Sequence, residues 1–61
     1  MVIVYNKKNH MYVGEVNPED GTVISFTSSV AYAEKFDEGL GGKSIIEAIK
    51  NKYDVEVIEL D

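Results

Sequence analysis

The stretch MYVGEVNPEDGTVISFT, residues 11–27, decides the fold because it combines two strand-like runs with a clear turn between them. Residues 11–16 and 22–27 are rich in β-branched and aromatic side chains, which favour strands. Between the runs, Pro18 presets φ for a turn, and Gly21 can adopt the positive φ that ends a hairpin. We therefore predict an antiparallel hairpin in which Ile24 and Phe26 point toward the core.

Further elements are predicted on both sides of this hairpin. Residues 2–5 form a β-branched strand, which a polar turn over residues 6–10 connects to the hairpin. Beyond the hairpin, apolar residues recur at helical spacing and predict a short helix that packs Val30, Ala33 and Phe36 onto the sheet. The glycine-rich residues 39–42 are predicted to end that helix.

A second helix and a last strand complete the predicted chain. The helix runs from about Lys43 or Ser44 to Lys52, and its apolar stripe comprises Ile45, Ile46, Ile49 and Tyr53. Residues 54–61 form the last strand. Its alternation slips at Val57 and Ile58, which predicts either a β-bulge or partial burial of both faces there.

The predicted element order is βββααβ, which defines an α+β fold: a three-stranded antiparallel meander, two short helices on one face and a C-terminal fourth strand. The 61 residues make a single small domain, residues 1–61. A core of this size supplies only about 3–5 kcal/mol of net stability, and the sequence has no cysteine for a disulfide. We therefore expect a homodimer, because self-association is one of the remaining ways to stabilise the domain.

Composition argues against catalysis and against a bound cofactor. The absence of cysteine excludes thiolate zinc sites and cysteine nucleophiles, and the single histidine, His10, leaves no cluster for a metal. An enzyme pocket typically needs about 300–1,000 Å³, which so short a chain scarcely encloses. The longest apolar run, residues 1–5, is too short for a signal peptide or a membrane span. We expect a non-enzymatic cytoplasmic protein without cofactor, metal or membrane association.

One segment looks like the end of a phosphate-binding loop. Residues 39–44, GLGGKS, end in the Gly-Lys-Ser of such loops, but the first glycine of the motif should stand where the sequence has Asp37. A carboxylate there repels phosphate, so the glycines are interpreted as residues that end a helix. Direct nucleic-acid binding is also not expected, because Lys7 and Lys8 are the only adjacent basic residues and the net charge is -5. His10 is interpreted as a solvated loop residue.

Acidic residues and tyrosines are the candidate contact residues. The last eight residues contain four acids and no lysine, namely Asp54, Glu56, Glu59 and Asp61. They either protect an edge strand against aggregation or form an acidic recognition stripe for a basic partner surface. Of the four tyrosines, Tyr53 fits the core stripe, Tyr32 lies off the predicted helix stripe, and Tyr5 and Tyr12 are either cross-strand neighbours or interface residues. The residues predicted to contact a partner protein are Tyr32, Glu56, Glu59 and Asp61.

The chain resembles small proteins encoded by phages and prophages of Gram-positive bacteria. The resemblance rests on Tyr12-Val13-Gly14 in the hairpin, on Phe26-Thr27 leading into Ala33-Glu34-Lys35-Phe36, and on the closing Val55-Glu56-Val57-Ile58. It spans most of the chain through short structural motifs and transfers no catalytic residues. The resemblance implies an early or accessory phage protein that binds and blocks a host protein, in the manner of small inhibitors of bacterial defence such as the anti-CRISPR and anti-Hachiman types.

The sequence therefore favours a non-enzymatic interaction protein, a phage-type inhibitor that binds a host defence or replication factor. A narrower version of this hypothesis is a charge mimic that occupies a nucleic-acid channel. Two alternatives stay open at this point: a structural module whose self-assembled homodimer is the working unit, and a protein that sequesters a small molecule or nucleotide at a dimer cleft.

Overall fold

The computed structural model describes residues 1–60, which form four strands, one α-helix and a short 3-10 turn. The strands are β1 (Val2–Asn6), β2 (Met11–Val16), β3 (Val23–Thr27) and β4 (Val55–Glu59). The helix α1 spans Leu40–Lys52, and the 3-10 turn spans Val30–Tyr32. The predicted α+β class, the meander and the C-terminal fourth strand are confirmed, whereas the prediction of two helices is wrong.

The four strands form one antiparallel sheet of order β3-β2-β1-β4. β4 returns beside β1 and pairs with it along its whole length, from Val2 opposite Glu59 to Asn6 opposite Val55, without any shift in register. The β-bulge predicted at Val57 and Ile58 is therefore wrong. The alternative, partial burial of both faces, is confirmed because both side chains are half-buried.

A bulge in the β2–β3 hairpin changes which side chains face the core. The register slips by one residue after Val13 and slips back before Val16, so β3 no longer alternates strictly. Val23 and Phe26 both pack against the core, while Ile24 between them is 66% exposed. The prediction for Phe26 is confirmed and the prediction for Ile24 is wrong, because strict alternation does not survive the bulge.

The first predicted helix is replaced by an extended segment. After the single 3-10 turn, Ala33 has extended backbone angles and the Glu34 N–H donates to the Val13 carbonyl at 2.9 Å. Phe36 exchanges two backbone hydrogen bonds with Val2, at 2.8 and 2.9 Å. A helix of two to three turns is marginal in water, and here the backbone finds partners where β1 and β2 separate. Ala33 and Phe36 are buried as predicted, but Val30 is 44% exposed.

The helix α1 begins at Leu40, three or four residues before the predicted start at Lys43 or Ser44, and ends at Lys52 as predicted. Gly39 is its N-cap residue, and the Lys43 N–H donates to the Gly39 carbonyl at 2.9 Å. The glycines therefore begin a helix instead of ending one. A Cβ at Gly42 would overlap the backbone carbonyl of Asp37. Because glycine has no Cβ, the segment at Asp37 can lie directly against the first turn of α1.

The core lies between α1 and one face of the sheet. Its buried members are Val2, Val4, Val13, Phe36, Ile46 and Ile49. Strand alternation places Ile3 and Tyr5 on the other face, together with Tyr12, Glu56 and Ile58, which stand opposite them or beside them across the strands. The described chain has no second α-helix to cover that face.

The β2–β3 turn is fixed by local hydrogen bonds and by contact with α1. The Gly21 N–H donates to the Asn17 carbonyl at 2.9 Å, and Gly21 has the positive φ of 76° that the sequence predicts. The Asp20 carboxylate accepts the Thr22 N–H at 2.9 Å, and this hydrogen bond lowers the pKa of Asp20 below its ordinary value. The turn lies directly against α1 at Ala48 and Ile49.

Candidate functional site

The outer side of β4 presents backbone groups that no described strand pairs. The Leu60 N–H donates to the Met1 carbonyl at 2.9 Å, and the Lys7 N–H donates to the Asp54 carbonyl at 3.0 Å. Because hydrogen-bonded pairs alternate along an antiparallel ladder, the even-numbered residues of β4 bond to β1. The N–H and C=O groups of Val55, Val57 and Glu59 therefore point outward, and we name these groups the β4 edge.

The opposite edge of the sheet, along β3, is occupied by a side chain at one position. The Val23 N–H, which points away from β2, donates to the Tyr53 hydroxyl oxygen at 3.2 Å in a half-buried position. The β2–β3 bulge further disrupts the regular spacing of this edge. Tyr53, predicted as a core residue, thus has a second role, and β4 is the more regular and less occupied of the two edges.

Replacing Tyr53 with phenylalanine is expected to free the Val23 N–H at the β3 edge at modest cost. The ring keeps its edge-on contact with Phe26, whose centroid lies 6.2 Å away, but the Val23 N–H loses its acceptor. We expect a loss of about 1 kcal/mol in the free energy of unfolding and faster hydrogen exchange at the Val23 amide. Exchange at Val23 as slow as in the parent protein would contradict this role for the hydroxyl.

Acidic side chains flank the β4 edge on both faces of the sheet. Glu56 stands opposite Tyr5 on the face away from α1, and Glu59 stands opposite Val2 on the α1 face. Both are exposed. Asp54 precedes the strand and forms an exposed ion pair with Lys7 at 3.7 Å. The two glutamates therefore lie on opposite faces, as regular alternation requires, and together they make the edge negative from either side.

A groove runs between α1 and β4, and we name it the α1–β4 groove. Its volume is about 420 Å³, and its apolar lining consists of Val2, Ile46 and Val57. Its polar lining consists of Glu38, Lys43, Glu47 and Lys50. Since Val57 contributes its side chain to the groove and its backbone groups to the β4 edge, the two features are adjacent.

An aromatic cluster lies at the β1–β2 turn, on the sheet face away from α1. The Tyr5 hydroxyl lies 3.0 Å from His10 Nδ1, and the rings of Tyr5 and Tyr12 meet edge-on at a centroid distance of 5.3 Å. Tyr5 and Tyr12 are thus cross-strand neighbours, one of the two alternatives from the sequence. His10 is exposed in the turn, but it is hydrogen-bonded and has a φ of 59°.

The predicted contact residues are divided between two regions of the chain. Glu56 and Glu59 belong to β4, whereas Tyr32 lies in the 3-10 turn after β3 and is 80% exposed. The Lys35 ammonium group holds this turn by donating to the carbonyl oxygens of residues 30, 31 and 33, at 2.8, 3.2 and 2.9 Å. Asp61 lies outside the described residues.

The segment that looks like a phosphate-binding loop carries its own carboxylate. Asp37 Oδ1 accepts the Gly39 N–H at 3.1 Å, beside the start of α1. The neighbouring cavity of about 430 Å³ is lined by Asp37, Glu15 and Glu34, against one cation, Lys35. A phosphate would be repelled there. Residues 1–60 contain no group of three or more His, Cys, Asp or Glu side chains that could hold a metal ion.

What sequence reasoning missed is the spatial setting of the acidic strand. The groove and the outward backbone groups follow from the placement of β4 beside β1, and the contact at the β3 edge follows from the Tyr53 hydroxyl. Within the described part of the chain, no helix has the length and apolar character needed to cross a membrane.

Comparison of the chain with protein-family models, with curated proteins and with solved structures finds no match.

Proposed function

We propose that this chain is a non-enzymatic protein-interaction module that binds a host protein and blocks it, as phage-encoded inhibitors of bacterial defence do, in the host cytoplasm. One observation carries the proposal: the β4 edge offers outward backbone groups at Val55, Val57 and Glu59, on a strand that also carries the exposed carboxylates of Glu56 and Glu59. An unpaired edge of this kind is a template for pairing with another chain.

The charge of the molecule supports a protein partner over a nucleic acid. The net charge is -5, and β4 contains two glutamates and no lysine. Such a surface repels a phosphate backbone and attracts a basic protein surface, which raises the association rate and improves selectivity. The proposed partner is therefore a host protein with a basic contact surface.

The lining of the two cavities supports a binding function over catalysis. Neither the α1–β4 groove nor the cavity beside Asp37 is lined by a hydroxyl, thiol or imidazole side chain in the described chain. Nucleophilic catalysis through a hydroxyl, thiol or imidazole needs such a group, and the carboxylates that do line the two cavities are all exposed to solvent. The proposed blocking action needs only a stable interface.

A capture experiment with charge-reversed baits tests this function. Bacterial lysate is passed over three immobilised baits: the parent chain, the double variant Glu56→Lys/Glu59→Lys, and the control Glu15→Lys/Glu19→Lys. The control makes the same change in net charge at exposed positions on β2 and its turn. We expect a stoichiometric partner on the parent and control baits and at least a tenfold loss on the β4 variant, about 1.4 kcal/mol. Equal capture by all three baits, or capture by none, would contradict the proposal.

Self-association is the second candidate, because large apolar side chains remain exposed away from β4. Leu40 is 90% exposed at the start of α1, and Tyr32 is 80% exposed. If the homodimer is the working unit, sedimentation equilibrium at about 100 μM should give a dimer mass, and Leu40→Glu should convert it to monomer. A monomer mass for the parent chain at this concentration would remove this candidate.

A further inference from the structure

We propose that the partner docks as an extended segment of alternating apolar and basic residues, which adds to β4 as an antiparallel fifth strand and places its apolar side chains in the α1–β4 groove. This inference rests on the proposed function and specifies the partner's chemistry and its mode of binding. Strand addition to an exposed sheet edge is a general way to recognise extended peptides.

Backbone geometry supports an antiparallel addition. The outward groups at Val55, Val57 and Glu59 offer a donor and an acceptor at every second residue, as strand addition requires. Every strand pair already in the sheet is antiparallel. The β3 edge is less suited to strand addition, because Tyr53 already accepts the Val23 N–H and the β2–β3 bulge disturbs the register. A docking strand would span about 17 Å, five residues at about 3.4 Å each.

Side-chain alternation determines what the partner presents to each face. Partner residues facing Val55 and Val57 have their side chains on the α1 face, where the groove is lined by Ile46, Val57 and Val2. Apolar partner side chains fit that lining. The partner residues between them face Glu56 on the other side of the sheet, where a lysine or arginine pairs with the carboxylate.

Charge also argues against a second copy of this chain as the occupant. Two β4 strands side by side would bring Glu56 and Glu59 of both copies to one seam, and each copy has a net charge of -5. Carboxylates gathered along one seam repel one another and so weaken such a pairing. A basic segment removes this repulsion, so the acidic edge selects against self-pairing while it accepts a partner of opposite charge.

Backbone N-methylation of a synthetic probe tests the hydrogen bonds without altering the protein. The probe is an acetylated, amidated peptide of about nine residues in which valine and lysine alternate. In the proposed pairing, the valine N–H groups point to β4 and the lysine N–H groups point away. One matched peptide is N-methylated at every valine and the other at every lysine, and binding is measured by calorimetry and by NMR shifts.

We expect the parent peptide to bind and to shift the amide signals of β4. N-methylation at valine should weaken binding at least tenfold, because several interchain hydrogen bonds of about 0.5–1.5 kcal/mol each are lost, whereas N-methylation at lysine should change the affinity less than about threefold. Glu56→Gln should weaken binding and Glu19→Gln should not. A peptide of alternating valine and glutamate should not bind.

Two results would overturn the strand inference. One is equal binding by the two N-methylated peptides, which would indicate attraction by charge without strand pairing. The other is no binding of the parent peptide at all. Neither result bears on the capture experiment, in which the charge-reversed β4 bait can still lose its partner, so the mode of docking and the proposed function fail separately.

Discussion

Replacing Gly21 with alanine is expected to remove most of the stability of the fold. Gly21 has a φ of 76°, which costs an L-residue about 1–2 kcal/mol. A Cβ there would also lie 2.6 Å from the Ala48 Cβ and 2.7 Å from the Ala48 carbonyl carbon, on the backbone of α1. Overpacking of this kind costs about 1–3 kcal/mol. The sum approaches the roughly 3–5 kcal/mol that so small a core supplies.

Urea denaturation followed by circular dichroism measures this effect. The Gly21→Ala variant should have a strongly lowered midpoint or no folded baseline. Adding Ala48→Gly should not restore it, because the Ile49 backbone nitrogen also lies 2.9 Å from the position of the added methyl group and the positive φ remains. A midpoint equal to that of the parent chain would show that the turn does not pack against α1.

Two neighbouring glycines in α1 are expected to respond to the same substitution with opposite signs. A Cβ at Gly42 would overlap the Asp37 carbonyl, whereas a Cβ at Gly41 would meet nothing within 4 Å. Alanine in a helix is favoured over glycine by about 1 kcal/mol. Gly41→Ala should therefore stabilise the protein by about 0.5–1 kcal/mol, and Gly42→Ala should destabilise it by about 1–3 kcal/mol because overpacking outweighs the gain in propensity.

The two variants control for each other in one series of thermal melts. Both remove a glycine from the first turn of α1, so any general effect of helix propensity is shared. The difference between the melting temperatures of the two variants therefore measures the effect of the close approach of the Asp37 carbonyl to Gly42. Stabilisation by both substitutions would contradict the packing of the Asp37 carbonyl against the helix.

Local patterns predict the strands well and the helices incompletely. β-branched runs and the Pro18–Gly21 turn identify the meander, because strand preference and turn chemistry act over a few residues. The glycines of residues 39–42 are compatible with the end of one helix or the start of another. The close approach of the Asp37 carbonyl to Gly42 favours a helix start over a helix end. The spacing of apolar residues in the sequence does not predict this contact.

In the segment with Ala33 and Phe36, the sequence predicts the burial of these two side chains but not the backbone conformation. Its apolar spacing suits a helix, and both side chains are indeed buried. Its backbone is nevertheless extended, because Val13 and Val2 offer hydrogen-bond partners where β1 and β2 separate. Apolar periodicity predicts the burial of Ala33 and Phe36 but not the exposure of Val30, and the backbone conformation depends on partners that are distant in sequence.

The sequence predicts the acidic residues of the candidate site but not their position at an edge of the sheet. Glu56 and Glu59 stand out in the sequence as part of an acidic C-terminal run. The assignment of β4 to an open edge depends on its pairing with β1, and the partial occupation of the β3 edge depends on the hydroxyl of Tyr53. Both depend on tertiary contacts, and together they make the acidic strand a candidate binding edge.

Amide hydrogen exchange along β4, measured by NMR with and without the captured partner, tests the central claim most directly. In the free protein, the amides of Glu56 and Ile58 should exchange slowly, because they bond to β1, and those of Val55, Val57 and Glu59 should exchange fast. In the complex, the three outward amides should become protected at least about tenfold. Protection elsewhere on the molecule, with these three amides unchanged, would contradict the assignment of β4 as the binding edge.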